Sequence, residues 1–143
     1  MSTDDSRSIL QTFQNVVLHD YDTGDKIDNT HRNVIKNNYW KGLTQADWCM
    51  VVDVDEFVDI DYGTLQRLDR EGYTAVKCVG FTLIGDTDDL HAVRRGWRSS
   101  NYDKLALFKR SATKEINYRP GCHLCDIQGD NVRIYHSAGT VKL

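Results

Sequence analysis

The chain has 143 residues, 40% of them apolar and 27% charged, a composition expected of one ordinary globular domain spanning 1–143. No apolar run reaches the ~20 residues of a membrane span, and four cysteines are too few for a disulfide scaffold. The net charge of −3 hides an asymmetry: residues 1–72 carry 14 acidic and 7 basic side chains, residues 73–143 carry 7 and 11, so the first half suits a cation and the second an anion such as phosphate.

The opening MSTDDSRS has no signal-peptide pattern, and a cytoplasmic location is expected. Ser2 or Thr3 can cap a first helix, with Asp4 and Asp5 in its first turn and Ile9, Leu10 and Phe13 as its apolar stripe, ending at Asn15. VVL (16–18) reads as a short strand before a polar loop. Thr30 can cap a second helix to about residue 41, with Val34, Ile35 and Tyr39 facing inward. WCMVVDV (48–54) is an apolar strand of central type. YGTLQRLDRE is a third helix closed by Gly72, and TAVKCVGFTLI (74–84) another strand. Residues 85–103 are polar and loop-rich, a candidate mobile flap. KLALFKR (104–110) and NVRIYH (131–136) are later strands. Helices alternate with strands early and strands dominate later, which predicts an α/β domain with a mixed sheet. With no polybasic tail and no aromatic RNA-binding signature, nucleic acid is not an expected partner.

The chemistry concentrates in CMVVDVDEFVDI (49–60). Alternation along a strand points Asp53 and Asp55 the same way, beyond Val51 and Val52 where such a strand ends. Ligands of open α/β sheets sit at carboxyl ends of strands. A pair of carboxylates there, with no adjacent Cys or His, makes a hard oxygen site for Mg²⁺ or Mn²⁺ that would share the ion with substrate phosphates. A bare D-x-D is also compatible with an exposed acidic turn. An aspartyl phosphatase of the haloacid-dehalogenase kind shares the strand ending in D-x-D, and GDTDD (85–89) mimics its later acidic motif. Against it, Phe57 stands where that family has Thr or Val, and the two acidic clusters are too close for its lysine-bearing unit.

ADWCMVVDVDEF (46–57) resembles the D-x-D segment of GT-A fold glycosyltransferases. STDDS (2–6) resembles the turn opening a helix after the second strand in family-two enzymes, and HRNVIKNNYWKG (31–42) the helix before the D-x-D strand. YDKLALFKR (102–110), INYRPGCH (116–123) and VRIYHS (132–137) resemble the tail of a family-two-like subgroup with a D-x-D-E-F signature. The resemblance covers nearly the whole chain. It implies a GT-A-like, Rossmann-related three-layer domain with a mixed central sheet, and a sugar moved from a UDP- or GDP-sugar to a glycan or other hydroxyl acceptor. The strand-helix-strand unit that precedes STDxS in that family, and shapes its nucleotide pocket, is not present before Ser2, so the chain resembles a member truncated at its N-terminus.

By the same resemblance Asp55 is the direct ligand of Mn²⁺ or Mg²⁺, Asp53 contacts the ribose or reaches the metal through water, and Glu56 holds the motif or a water outside the metal's own ligands; Glu56 also reads equally well as a helix-side or loop charge. His123 in GCHLC and His136 in IYHS are candidate further metal ligands. Lys104 and the cluster Arg94, Arg95 and Arg98 are candidates for the diphosphate. Asp86, with Asp88 and Asp89 beside it after the 74–84 strand, is the candidate general base, and Trp97 could stack on a sugar. Cys122 and Cys125 of CHLC have zinc-ligand spacing, with His123 or His136 to join them, although a second C-x-x-C is lacking. The alternative to an enzyme is an inactive, truncated glycosyltransferase-like domain that binds a metal, a carbohydrate or a partner protein, or covers a bare edge by forming a homo-oligomer.

Overall fold

The computed structural model describes residues 4–20, 24, 28–84, 93 and 95–142, with the side chains from 137 onward outside that description. The elements are α1 (Ser6–Gln11), α2 (Asn29–Asn38), β1 (Trp48–Met50), β2 (Glu56–Asp59), α3 (Tyr62–Arg70), β3 (Ala75–Ile84), β4 (Arg95–Arg98), β5 (Lys104–Lys109), β6 (Thr113–Tyr118), β7 (Cys125–Gly129) and β8 (Ile134–Lys142). Ser2 and Thr3 lie outside the described residues. Asp5 occupies the N-cap position of α1, and Val16–Leu18 form no strand. The cap of α2 is Asp28, whose side chain accepts from the backbone of Thr30 and His31, so the helix begins before the expected Thr30. Asp accepts such bonds at least as well as Thr. Asp61 caps α3 by accepting from Thr64.

The fold is α/β with a mixed sheet in the order β1-β5-β3-β8-β2, with β4 pairing the far end of β3. The β3–β8 pair is parallel and the others antiparallel. A separate hairpin, β6–β7, was not expected; within it the extended segment 113–118 buries Thr113, Ile116 and Tyr118. The last strand also runs past its expected end, from Ile134 to Lys142, because β2 and β3 pair with it on both sides.

Each face of the sheet carries an apolar cluster. One holds Cys49, Phe108 and Ala75, which face one another across β1, β5 and β3, together with Trp40, Ile116, Tyr118 and Cys122. The other holds Leu107 and Val76 with Leu68 of α3. A bulge at Ala106 joins the two. Val76 faces Leu107 while Lys77 faces Leu105, so Ala106 is the extra residue and the side-chain alternation of β5 shifts by one. Leu105 thereby returns to the face of Phe108, and Lys104 falls in the row of Cys78 on the other. Gly80 lets the segment after β4 close on β3: an added Cβ would lie 2.4 Å from the Tyr102 backbone carbon.

Two features run against expectation. Val34, Ile35 and Tyr39 do not face inward; they are exposed, as are Ile9, Leu10 and Phe13 of the first helical segment. And among the described residues β1 lies at the edge of the sheet, not at its centre, paired with β5 alone. Among the described residues no helix is long and apolar enough to cross a membrane.

Candidate functional site

After β1 the chain crosses the end of the sheet to reach β2 at its other edge, and Asp53–Glu56 form the turn between them. The Glu56 N–H donates to the Asp53 carbonyl at 3.1 Å, and the Asp53 N–H donates to Glu56 Oε2 at 2.9 Å. The turn is thus closed from both ends by the same residue. Its carboxylate is buried and also accepts from Lys104 Nζ, where both side chains are 0% exposed. Lys104 is accessible to no diphosphate. It is the internal counter-ion that makes a buried Glu56 tolerable, since an unpaired carboxylate there would carry a large desolvation cost.

The turn opens on a cleft of about 480 Å³ lined by Asp53, Asp55, Arg32, Lys36, Cys122 and His123, among others. Asp53 Oδ1 accepts from Lys36 Nζ at 2.6 Å and from Arg32 at 3.0 Å. Burial pushes the Asp53 carboxyl up, but the hydrogen bond from Lys36 and the charges of Lys36, Lys104 and Arg32 outweigh it and hold the group below the usual carboxylate range. Burial likewise pulls Lys36 down, and its bonds to Asp53 and Cys122 reverse that. Lys36 Nζ lies 3.1 Å from Cys122 Sγ, tying α2 to the β6–β7 turn. That turn has positive φ at Gly121 (83°) and Cys122 (59°); Cys122 packs against the apolar cluster with its thiol still reaching Lys36, and His123 lines the same cleft. The ring of His123 meets Tyr102 edge to face at 5.7 Å.

Of the residues singled out in the sequence, Asp53, Asp55 and His123 share this cleft. His136 does not. His136 is exposed on β8 opposite Lys77 and is not among the residues that line the cleft. Arg98 donates to Asp103 and to the Gly80 carbonyl, and Arg95 and Trp97 are exposed on β4. Asp86, Asp88, Asp89 and Arg94 lie outside the described residues. Of the C-x-x-C pair, Cys122 is buried against the apolar cluster with its thiol bonded to Lys36, and Cys125 packs on the same cluster, where burial pushes its thiol up to about 12.

Arg32 and Lys36 were not singled out, although a signal for them exists. Asn29, Arg32, Asn33 and Lys36 recur at i, i+3, i+4 and i+7, a polar stripe along one helix face. That stripe, continued by Asn37 bonding the Tyr118 backbone, is the side of α2 turned into the protein.

No group of three or more His, Cys, Asp and Glu among the described residues is placed to hold a metal ion by itself. Mg²⁺ and its analogues commonly take one or two protein carboxylates and complete their shell with water and substrate phosphates. Asp53 and Asp55, together in one cleft, fit that pattern and do not make a closed structural site. Comparison with protein families, with curated proteins and with solved structures gives no match for the chain.

Proposed function

We propose that this domain is a GT-A-like glycosyltransferase that takes a sugar from a nucleoside-diphosphate sugar and passes it to a hydroxyl acceptor. The cleft carries the proposal: an acidic turn at the carboxyl end of a strand, locked by Glu56 and Lys104, opens on a space of about 480 Å³ with cationic side chains on its opposite wall. That volume suits a small polar ligand, and the mixture of carboxylates and cations suits a metal-bound diphosphate better than a neutral one. Asp55, with Asp53, would hold Mn²⁺ or Mg²⁺, and the ion supplies stabilisation of the charge that grows on the leaving diphosphate. Glu56 and Lys104 keep the turn rigid, so the two carboxylates need no reorganisation when a ligand arrives. His123 bounds the same space. The acceptor base remains an expectation placed on Asp86.

The test is thermal unfolding with Mn²⁺ plus UDP or GDP. At a ligand concentration a hundred times Kd, binding stabilises by about 2.7 kcal/mol, so the wild type should gain on the order of 5–10 °C in Tm. Asp55→Ala should gain little. No gain in the wild type at millimolar ligand overturns donor binding.

A binding module is the second reading, and the outward apolar surface favours it. Ile35, Tyr39, Trp40, Leu43, Met50 and Val52 line a groove of about 340 Å³ along the open side of β1. A sheet edge beside an apolar groove suits an added strand. A domain that fails the nucleotide test and self-associates through this edge would fit that reading.

A further inference from the structure

The carboxylate that begins the D-x-D turn already has a cation. Lys36 Nζ is 2.6 Å from Asp53 Oδ1, Arg32 contacts the same oxygen, and the Lys36 and Asp53 side chains are only 15% and 22% exposed. Solvent therefore screens the pair weakly. The cleft holds two cations, Arg32 and Lys36, and two carboxylates, Asp53 and Asp55, so their charges balance. A divalent ion arriving alone meets two resident cations and must compete with Lys36 for Asp53. A diphosphate arriving alone meets two carboxylates. Together the ion and the diphosphate nearly cancel, and each offers a partner to a resident group that the other displaces.

Resting on the glycosyltransferase reading, we propose that Lys36 is an exchangeable counter-cation: it holds Asp53 in the empty cleft and transfers its ammonium to a diphosphate oxygen when a divalent metal takes up the carboxylate. Lys36 is thus both a diphosphate-binding residue and the element that couples metal to nucleotide. The flexible stem and three donors of a lysine allow the swing, and its bond to Cys122 Sγ at 3.1 Å gives the ammonium a second anchor while it turns. By linkage, metal and diphosphate should each raise the affinity for the other by the same factor.

The experiment measures Mn²⁺ alone by electron paramagnetic resonance, and UDP and GDP by calorimetry with and without Mn²⁺, on the wild type and Lys36→Met. Met keeps the length of the stem and removes the charge. The expected result is opposite in sign for the two ligands: Mn²⁺ alone binds Lys36→Met roughly fivefold or more tighter, while the nucleotide in the presence of Mn²⁺ binds roughly fivefold or more weaker. Lys36→Arg, which keeps the charge, should stay close to the wild type in its response to Mn²⁺ alone. Equal weakening of both ligands would mean that Lys36 only supports the fold, and no change in either would make it a bystander; each overturns the proposal while leaving the glycosyltransferase reading in place. A wild type that binds neither nucleotide with Mn²⁺ overturns both.

Discussion

Glu56 shows how one side chain sets the geometry of the acidic turn. Its carboxylate accepts from the Asp53 N–H and from Lys104, and its own N–H donates back to Asp53. Removing either partner of a buried ion pair strands the other charge in a low-dielectric site, which costs about 3–5 kcal/mol. Lys104→Met should therefore remove a large share of a total stability of ~5–15 kcal/mol, read as a lower urea midpoint. Lys104→Met combined with Glu56→Leu should recover part of the loss, since no charge is then left alone, but it should release the turn and weaken any ligand of Asp53 and Asp55. Glu56 was legible in the sequence as a holder of the motif. Lys104 was not legible as its partner, because the bulge at Ala106 decides which face it joins.

At the scale of elements, α2 is turned so that its polar stripe meets the cleft and its apolar residues face outward. Val34 is 56% exposed and Ile35 37%. Ile35→Lys should then change stability by no more than about 0.5 kcal/mol, whereas the same change at a core residue would unfold the domain; chemical denaturation of the variant checks this. Asp103 ties three segments together, its Oδ1 accepting from the Gly80 N–H at 2.8 Å and its Oδ2 from Arg98 at 2.6 Å. Burial raises the Asp103 carboxyl, but the Gly80 hydrogen bond and Arg98 outweigh it and hold it below the ordinary value. A carboxyl lowered in the folded state contributes stability above the unfolded value of about 4 and loses it as pH falls through the folded one. Wild type should thus lose more stability than Asp103→Asn between pH 7 and pH 3, with the difference confined to the acidic side. Arg98 is 43% exposed, so salt will screen part of the effect.

In the whole molecule the acidic turn joins the two edges of the main sheet, β1 and β2, and the cleft gathers residues from α2, that turn and the β6–β7 hairpin. Ile9, Leu10 and Phe13 of the first helical segment and Val34 of α2 are exposed, so the stability of the domain rests on the clusters around Phe108 and Leu107.

The sequence by itself determined the apolar runs that became β1, β3 and β5, the capped helix α3 and the mixed α/β sheet. These depend on local periodicity and on residues near one another in the chain. However, β1 is only Trp48–Met50 of the expected 48–54, so that Asp53 and Asp55 share the cleft through a turn and not through strand alternation. Tertiary structure decided the rest. The inward face of α2 could not be read from hydrophobicity, because the partner of its polar stripe, Asp53, is set by the path of the chain after β1. His136 sits on β8 opposite Lys77 and His123 lines the cleft because sheet register and a turn with positive φ fix those positions, and neither register nor turn direction is written in the identity of a histidine. In the folded chain the cations that meet Asp53 are Lys36 and Arg32, both supplied by α2.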